Sequence, residues 1–238
     1  MRVTIASLFL SVVAHPAIAV HVASAQDTTT YVVWNHGRTA GEMRVVAASD
    51  SAVVRFRYQD RQRGPRLETH YRFDTNGRLA SLEVRGLNAQ MFPGESTERY
   101  SRTGNRIRWV TEVDSVDRDA PPNAFYSPGS STPYDMALLV HHLLAQPQQQ
   151  GEIFPVGSGR AFAAAETTVT FRGASIPLRL TMVDDGEGTP RGAWLNSQDK
   201  LFASDAGWFI TVKTGAEGVL PGLRAIERTW HTKHATEL

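Results

Sequence analysis

Apolar and polar residues alternate along much of this chain, most clearly between residues 53 and 73. The apolar positions are Val54, Phe56 and Tyr58 in one segment and Leu67, Thr69, Tyr71 and Phe73 in the next. Arginine, glutamate and histidine occupy most of the positions between them. A period of two with one apolar and one charged face is typical of an antiparallel sheet that faces water on one side.

Turn residues divide the first half of the chain into short strands. Asn76-Gly77 is a strong hairpin signal, because both residues tolerate a positive φ, and Gly104-Asn105 is a second tight turn. The strand predicted after it, 106–113, places Trp109 and Val113 on one face. Short strands with turns at this spacing predict a meander.

A period close to 3.6 replaces the alternation between residues 133 and 146 and predicts a helix. Its apolar stripe is Met136, Leu139, Val140, Leu143 and Leu144. Pro133 suits the first helical position, and Ser131 or Thr132 suits the N-cap.

After this helix, strand patterns resume up to residue 213. An amphipathic pattern at 216–230 predicts a closing helix, and 231–238 is a polar tail. The predicted fold is mainly β (α+β): an antiparallel meander that forms a curved sheet or open barrel, crossed by one central helix and closed by a C-terminal helix. We expect a single domain over 26–230, with strand-rich halves at 31–117 and 159–213.

Residues 1–25 have the features of a secretory signal peptide. Arg2 precedes an apolar run at 3–13, and Ala23-Ser24-Ala25 forms an A-x-A cleavage site. The run is too short to span a bilayer, and no later segment is long enough, so no transmembrane segment is expected. The sequence therefore predicts an exported protein, periplasmic or secreted.

Net charge and cysteine content exclude some classes of partner and of chemistry. Without Arg2, 24 Lys and Arg residues face 24 Asp and Glu residues, which argues against a nucleic-acid partner, since such a partner favours a basic face. The chain has no cysteine, so neither a disulfide nor a thiol nucleophile is available. The fold must therefore be held by its core.

No motif in the sequence selects a reaction. G-x-S-x-G, H-E-x-x-H and the glycine-rich phosphate loops are absent. A serine–histidine–acid triad stays open, since its members need not be close in sequence. No catalytic residue and no cofactor are assigned.

Support in the sequence for a metal site is also weak. His141 and His142 are adjacent and point about 100° apart on a helix, so they are poorly placed to share a metal. His231 and His234 fall in the predicted tail. The aspartates of 114–119 lack the glycine and the final glutamate of a calcium loop. No metal site is expected.

Several short segments resemble the β-rich N-terminal region of exported, imidazolonepropionase-like amidohydrolases, which are metal-dependent hydrolases. They are Tyr134 to Leu144, Ala193 to Ala203, Gly207-Trp208 and Leu223 to Trp230. In that family the region precedes a catalytic barrel whose metals are held by a His-x-His pair. This chain has no His-x-His, so the resemblance implies a non-catalytic accessory domain that scaffolds or covers an amidohydrolase catalytic domain or chain.

The alternative is a stand-alone binding protein, lipocalin-like or lipoprotein-carrier-like, for an apolar small molecule. Its candidate ligand-binding residues are Phe56, Tyr58, Tyr71, Phe73, Trp109, Leu139 and Leu143. These side chains, together with Phe171, equally suit a packed interior. An internal cavity would distinguish the two arrangements.

Overall fold

The computed structural model describes residues 26–61, 63–88, 95–186 and 188–234. The predicted signal peptide, 1–25, lies outside them. The described residues form two α-helices, α1 (Pro133–Leu144) and α2 (Leu220–His234). The strands, β1 to β15 in chain order, are Asp27–Asn35, Arg38–Ala47, Ser51–Tyr58, Arg66–Phe73, Leu79–Leu87, Glu95–Thr103, Arg106–Val110, Ser115–Asp119, Phe125–Tyr126, Gln150–Phe154, Gly157–Phe171, Ala174–Asp184, Arg191–Asn196, Leu201–Asp205 and Ile210–Lys213.

All these strands belong to one continuous sheet. Neighbours in sequence are neighbours in space, and β1 pairs with β15 in an antiparallel ladder that joins the two strand-rich halves. All pairs are antiparallel apart from β9 with β10, which is parallel. The predicted antiparallel meander is confirmed.

The sheet curves into an open barrel whose two end strands, β8 and β9, are not hydrogen-bonded to each other. Aromatic contacts cross the gap between the ends. Tyr100 stacks on Tyr126 with ring centroids 4.5 Å apart, and Trp109 lies 6.0 Å from Phe154. Stacked rings therefore join the edges where backbone pairing ends.

Helix α1 packs against the inner, concave face of the sheet. Its buried Ala137, Leu139, Val140 and Leu143 join one hydrophobic cluster with the apolar side chains of the first half. The predicted crossing helix is therefore confirmed. Packing against the sheet stabilises it, because its apolar side chains are removed from water.

In the second half of the sheet, β13, β14 and β15 are buried on both faces. Along β13, Ala193 and Leu195 contact the cluster around α1, whereas Trp194 between them contacts a second cluster that includes Leu220 and Leu223 of α2. Phe171 packs against this second cluster, not on the inner face with the other aromatics.

The structure corrects the predicted helix limits. The central helix ends at Leu144, before a 3-10 turn at Pro147–Gln149. The closing helix runs over Leu220–His234 rather than 216–230, because a 3-10 turn at Glu217–Val219 precedes it. Part of the predicted polar tail is therefore helical.

The strand limits also differ from those expected. β7 stops at Val110 rather than 113, because Thr111 N bonds to Asp114 O at 2.8 Å and closes a turn. Val113 is therefore 74% exposed instead of sharing a face with Trp109. The first strand-rich half runs from Asp27 to Asp119 rather than over 31–117, and the second half starts at Gln150 rather than at 159. The Asp27 carboxylate at the start of β1 pairs with Lys200.

Among the described residues, no helix combines the length and the apolar character needed to cross a membrane.

Candidate functional site at the barrel mouth

Most of the predicted ligand-binding residues lie in the packed interior. Tyr71, Trp109, Leu139 and Leu143 are at most 6% exposed. Phe73 is partly buried, and its ring stacks on Tyr71 with centroids 6.3 Å apart. These side chains belong to the hydrophobic cluster between the sheet and α1, so they contribute to the packed interior of the barrel.

Tyr58 and Phe56 lie at one end of the barrel, beside a cavity of about 350 Å³. The cavity opens where the β1–β2 turn, the β14–β15 turn and the segment after β3 meet. We call it the mouth cavity, and its main lining residues are Trp34, Asn35, Tyr58, Arg61, Trp208 and Phe209. Its volume falls within the range of small-molecule sites.

Two tight turns build this mouth. The β1–β2 turn has His36 at φ 46° and Gly37 at φ 79°, the left-handed values that a two-residue hairpin turn requires. In the β14–β15 turn, Gly207 N donates to Asp205 Oδ1 at 2.7 Å and Ala206 N donates to Phe209 O. This second turn places Trp208 at its tip, 78% exposed.

Phe209 forms the inner wall of the mouth cavity. Its ring centroid lies 4.7 Å from that of Tyr58 and 5.6 Å from that of Phe56. Asn35 Nδ2 donates to Tyr58 Oη at 2.8 Å, which fixes the phenol. Burial raises the pKa of Tyr58, so this hydroxyl stays neutral at physiological pH.

The acid Asp60 and the bases Arg61 and Arg224 line the cavity beside its aromatic walls. Arg38 pairs with Asp60 at 3.3 Å, and Arg224 Nε lies 3.6 Å from Asp205 Oδ2. Arg61, which lines the cavity and is exposed, makes no ion pair within the described part of the chain. The rim of the cavity therefore carries one positive charge without a local counter-charge.

A smaller cleft of about 130 Å³ adjoins the mouth cavity on the other side of Phe209. Its apolar walls include Met136, Leu139 and Ile153, and Asp135 lies among its lining residues. Burial raises the pKa of Asp135 to about 6. Leu139 is thus a predicted binding residue that reaches a cleft, although a narrow one.

A second buried carboxylate, Glu98, has a structural role in the interior. It accepts hydrogen bonds from Tyr126 Oη at 2.5 Å and from the backbone N–H groups of Gly129 and Ser130 at 3.1 Å. These bonds attach the segment before α1 to β6. This role was not predictable from the sequence, since Glu98 stands between Thr97 and Arg99 in a strand of mostly polar residues.

The histidines have separate partners. His141 Nε2 contacts the Asp199 carbonyl, while His142 Nε2 lies 2.7 Å from Asn123 O and its ring packs against Phe125. Burial lowers the pKa of His142. Within the ranges that the structure describes, no three His, Asp or Glu side chains are grouped so that they could hold a metal.

Comparison with known proteins gives one structural likeness and no family. No family model matches the chain, and no curated protein matches it. Among solved structures, the chain is similar to a β-barrel-like protein of domain of unknown function DUF1849 from Brucella abortus. The two share 12% sequence identity with a TM-score of 0.47, over 81% of this chain and 96% of the other.

These findings overturn the resemblance to the N-terminal region of amidohydrolases. A true relationship would give a match to that family, and none is found. The segments that carry the resemblance, such as Gly207-Trp208, are turn and aromatic patterns that many β-rich proteins contain. They do not support an accessory role beside an amidohydrolase.

Proposed function

We propose that this protein is a binding protein that holds a small, largely apolar anion in the mouth cavity. The observation that carries the proposal is Trp208. A large apolar side chain that is 78% exposed at the tip of a tight turn, beside a cavity also lined by Trp34 and Phe209, is suited to contact a ligand.

The aromatic walls supply the apolar part of the recognition. Trp34 is half-buried and Trp208 is exposed, so a ligand between them would remove apolar surface from water on both sides. Each 100 Å² of apolar surface removed from water is worth roughly 2.5 kcal/mol before the costs of association. The polar pair Asn35–Tyr58 offers hydrogen-bonding groups that orient the ligand.

The charge of the rim supports an acidic ligand. Arg61 lacks an ion pair in the described residues, and a guanidinium binds carboxylate, sulfonate or phosphate oxygens through two parallel N–H groups. An apolar body between the indoles with an acidic group toward Arg61 satisfies both features. An interior site is disfavoured, because Tyr71 and Leu143 already fill that space.

A fluorescence titration with 1-anilinonaphthalene-8-sulfonate tests the site, since this probe joins an aromatic body to a sulfonate. We expect Trp208→Ala to weaken binding about tenfold, in line with the loss of a large aromatic contact. Val113→Ala is the matched control, because Val113 is 74% exposed on a different turn and does not line the cavity. Decanoate should compete with the probe.

Equal affinity of wild type and Trp208→Ala would overturn the proposal, as would an equal loss in Val113→Ala. Arg61→Gln separates the two parts of the recognition. It should weaken decanoate binding and leave binding of decanol unchanged.

We also propose that the protein is exported, on the basis of residues 1–25. The test is expression of the full chain in a Gram-negative host, followed by fractionation and intact-mass measurement. A periplasmic or secreted product that begins at Gln26 is expected. A cytoplasmic product that retains residues 1–25 would contradict the proposal.

A further inference from the structure

The outer, water-facing side of the first half of the sheet carries rows of charged side chains. In two of these rows an acid lies between bases. Arg55 Nε bonds to Glu68 Oε2 at 2.5 Å. Glu83 Oε1 accepts from Arg85 at 2.7 Å and from Arg99 at 3.0 Å. In these rows the acid forms ion pairs with neighbouring arginines, as is common between adjacent strands.

A third row on the same face is different. Arg72 on β4 lies opposite Ser81 on β5, Ser81 lies opposite Ser101 on β6, and Ser101 lies opposite Arg108 on β7. No acid separates the two arginines. All four residues line one surface concavity, with a volume of about 770 Å³. We call these four residues the Arg-Ser row.

The donors of the Arg-Ser row have few partners within the chain. The carboxylate nearest to Arg72 is Asp50, at 4.0 Å. Arg108 makes no ion pair among the described residues. Asp117 lies opposite it on β8, but its carboxylate accepts from Arg106 Nε at 2.5 Å. In the same ranges, neither serine hydroxyl makes a hydrogen bond.

We propose that the Arg-Ser row binds a soluble ligand with two or more linked phosphate groups. Guanidinium groups bind phosphate oxygens in pairs, and serine hydroxyls add short donors between them. Neighbouring strands lie about 4.8 Å apart, so the Cα atoms of Arg72 and Arg108 are separated by roughly 14 Å. That span suits a chain of phosphates better than a single one.

The surrounding charge favours such a ligand. Arg99 also lines the concavity, where Glu83 is the only acid among its lining residues. Among the lining residues, three guanidinium groups therefore accompany one carboxylate, which also pairs with Arg85. The row is separate from the mouth cavity, since no residue lines both, and the inference does not depend on the proposed function.

Isothermal titration of the full mature chain with sodium tripolyphosphate, in a phosphate-free buffer, tests this site. We expect wild type to bind, and Arg72→Gln/Arg108→Gln to bind about tenfold or more weakly, because both guanidinium contacts to the phosphates are lost. Arg44→Gln is the matched control. Arg44 is exposed, lies on the same face opposite Arg55, and has no ion pair in the described residues.

Several results would overturn the inference: no binding by wild type, equal affinity of the double variant, or an equal loss in Arg44→Gln. Binding to phosphatidylglycerol vesicles without binding of tripolyphosphate would also overturn it, since the contact would then be with a membrane surface. Circular dichroism verifies folding, and if the double variant does not fold, each single variant replaces it with an expected loss of about threefold or more.

Discussion

At the level of single residues, burial changes the acidity of Glu227. This side chain lies on α2 and is only 7% exposed. Burial and the negative charge of Asp205 raise the pKa of Glu227 to about 7. The folded protein therefore holds a proton on Glu227 that the unfolded chain releases at a lower pH.

Replacing Glu227 should change how stability depends on pH. As pH rises from the ordinary value of a glutamate to about 7, the wild type loses stability because a buried carboxylate must ionise. We expect Glu227→Gln to be more stable than wild type by about 2 kcal/mol at pH 8, with the difference fading near pH 4. Urea denaturation at both pH values measures this.

Glu166→Gln serves as the control, because Glu166 is exposed on β11. It should match the wild type at both pH values. A Glu227→Gln variant that is less stable than wild type at pH 8 would show that the carboxylate is stabilising instead.

At the level of elements, the start of α1 is held by Asp135. Asp135 Oδ2 accepts bonds from Thr132 N at 2.6 Å and Thr132 Oγ1 at 2.9 Å, and its Oδ1 accepts from Tyr71 Oη at 2.9 Å. One carboxylate thus caps the helix and connects it to β4.

Removing that carboxylate should be more harmful than removing one of its donors. Asp135→Ala leaves three buried donors without their acceptor, so we expect a loss of about 3 kcal/mol in the free energy of unfolding. Tyr71→Phe removes a single bond and should lose about 1 kcal/mol. Equal losses of unfolding free energy in urea titrations of the two variants would contradict this, because the two bonds from Thr132 to Asp135 would then add nothing to the bond from Tyr71.

Several elements were predictable from local pattern. The strands around Phe56 and Tyr71 alternate strictly, and the stripe from Met136 to Leu144 has helical spacing, so each element was identified by its period alone. The limits of the closing helix were not, because a 3-10 turn has no distinct period. A pattern also cannot show that Trp194 and Leu195 bury opposite faces against different helices.

The site was only partly predictable for the same reason. Tyr58 was singled out as an inward-facing aromatic, and it does line the mouth cavity. Trp208 was not among the predicted binding residues, although a tryptophan directly after a turn glycine is a local signal of an exposed aromatic side chain. Trp34 and Trp208 are far apart in sequence, and only the pairing of β1 with β15 brings them to one cavity.

At the level of the whole molecule, side chains pack between the sheet and α1, and the mouth cavity lies at one end of the barrel. Helix α1 occupies the position that a ligand takes in a hollow barrel, and its Val140 and Leu143 are fully buried. The proposed ligand therefore binds at the rim, where turns position aromatic and charged groups around the scaffold.

The five tryptophans make this central claim directly measurable. Each indole N–H gives its own signal in a ¹H–¹⁵N spectrum, and titration with decanoate should shift the signals of Trp34 and Trp208, which line the mouth cavity. Those of Trp109, Trp194 and Trp230 should stay in place. Shifts at the buried Trp109 with none at Trp208 would contradict the account and place the ligand inside the barrel.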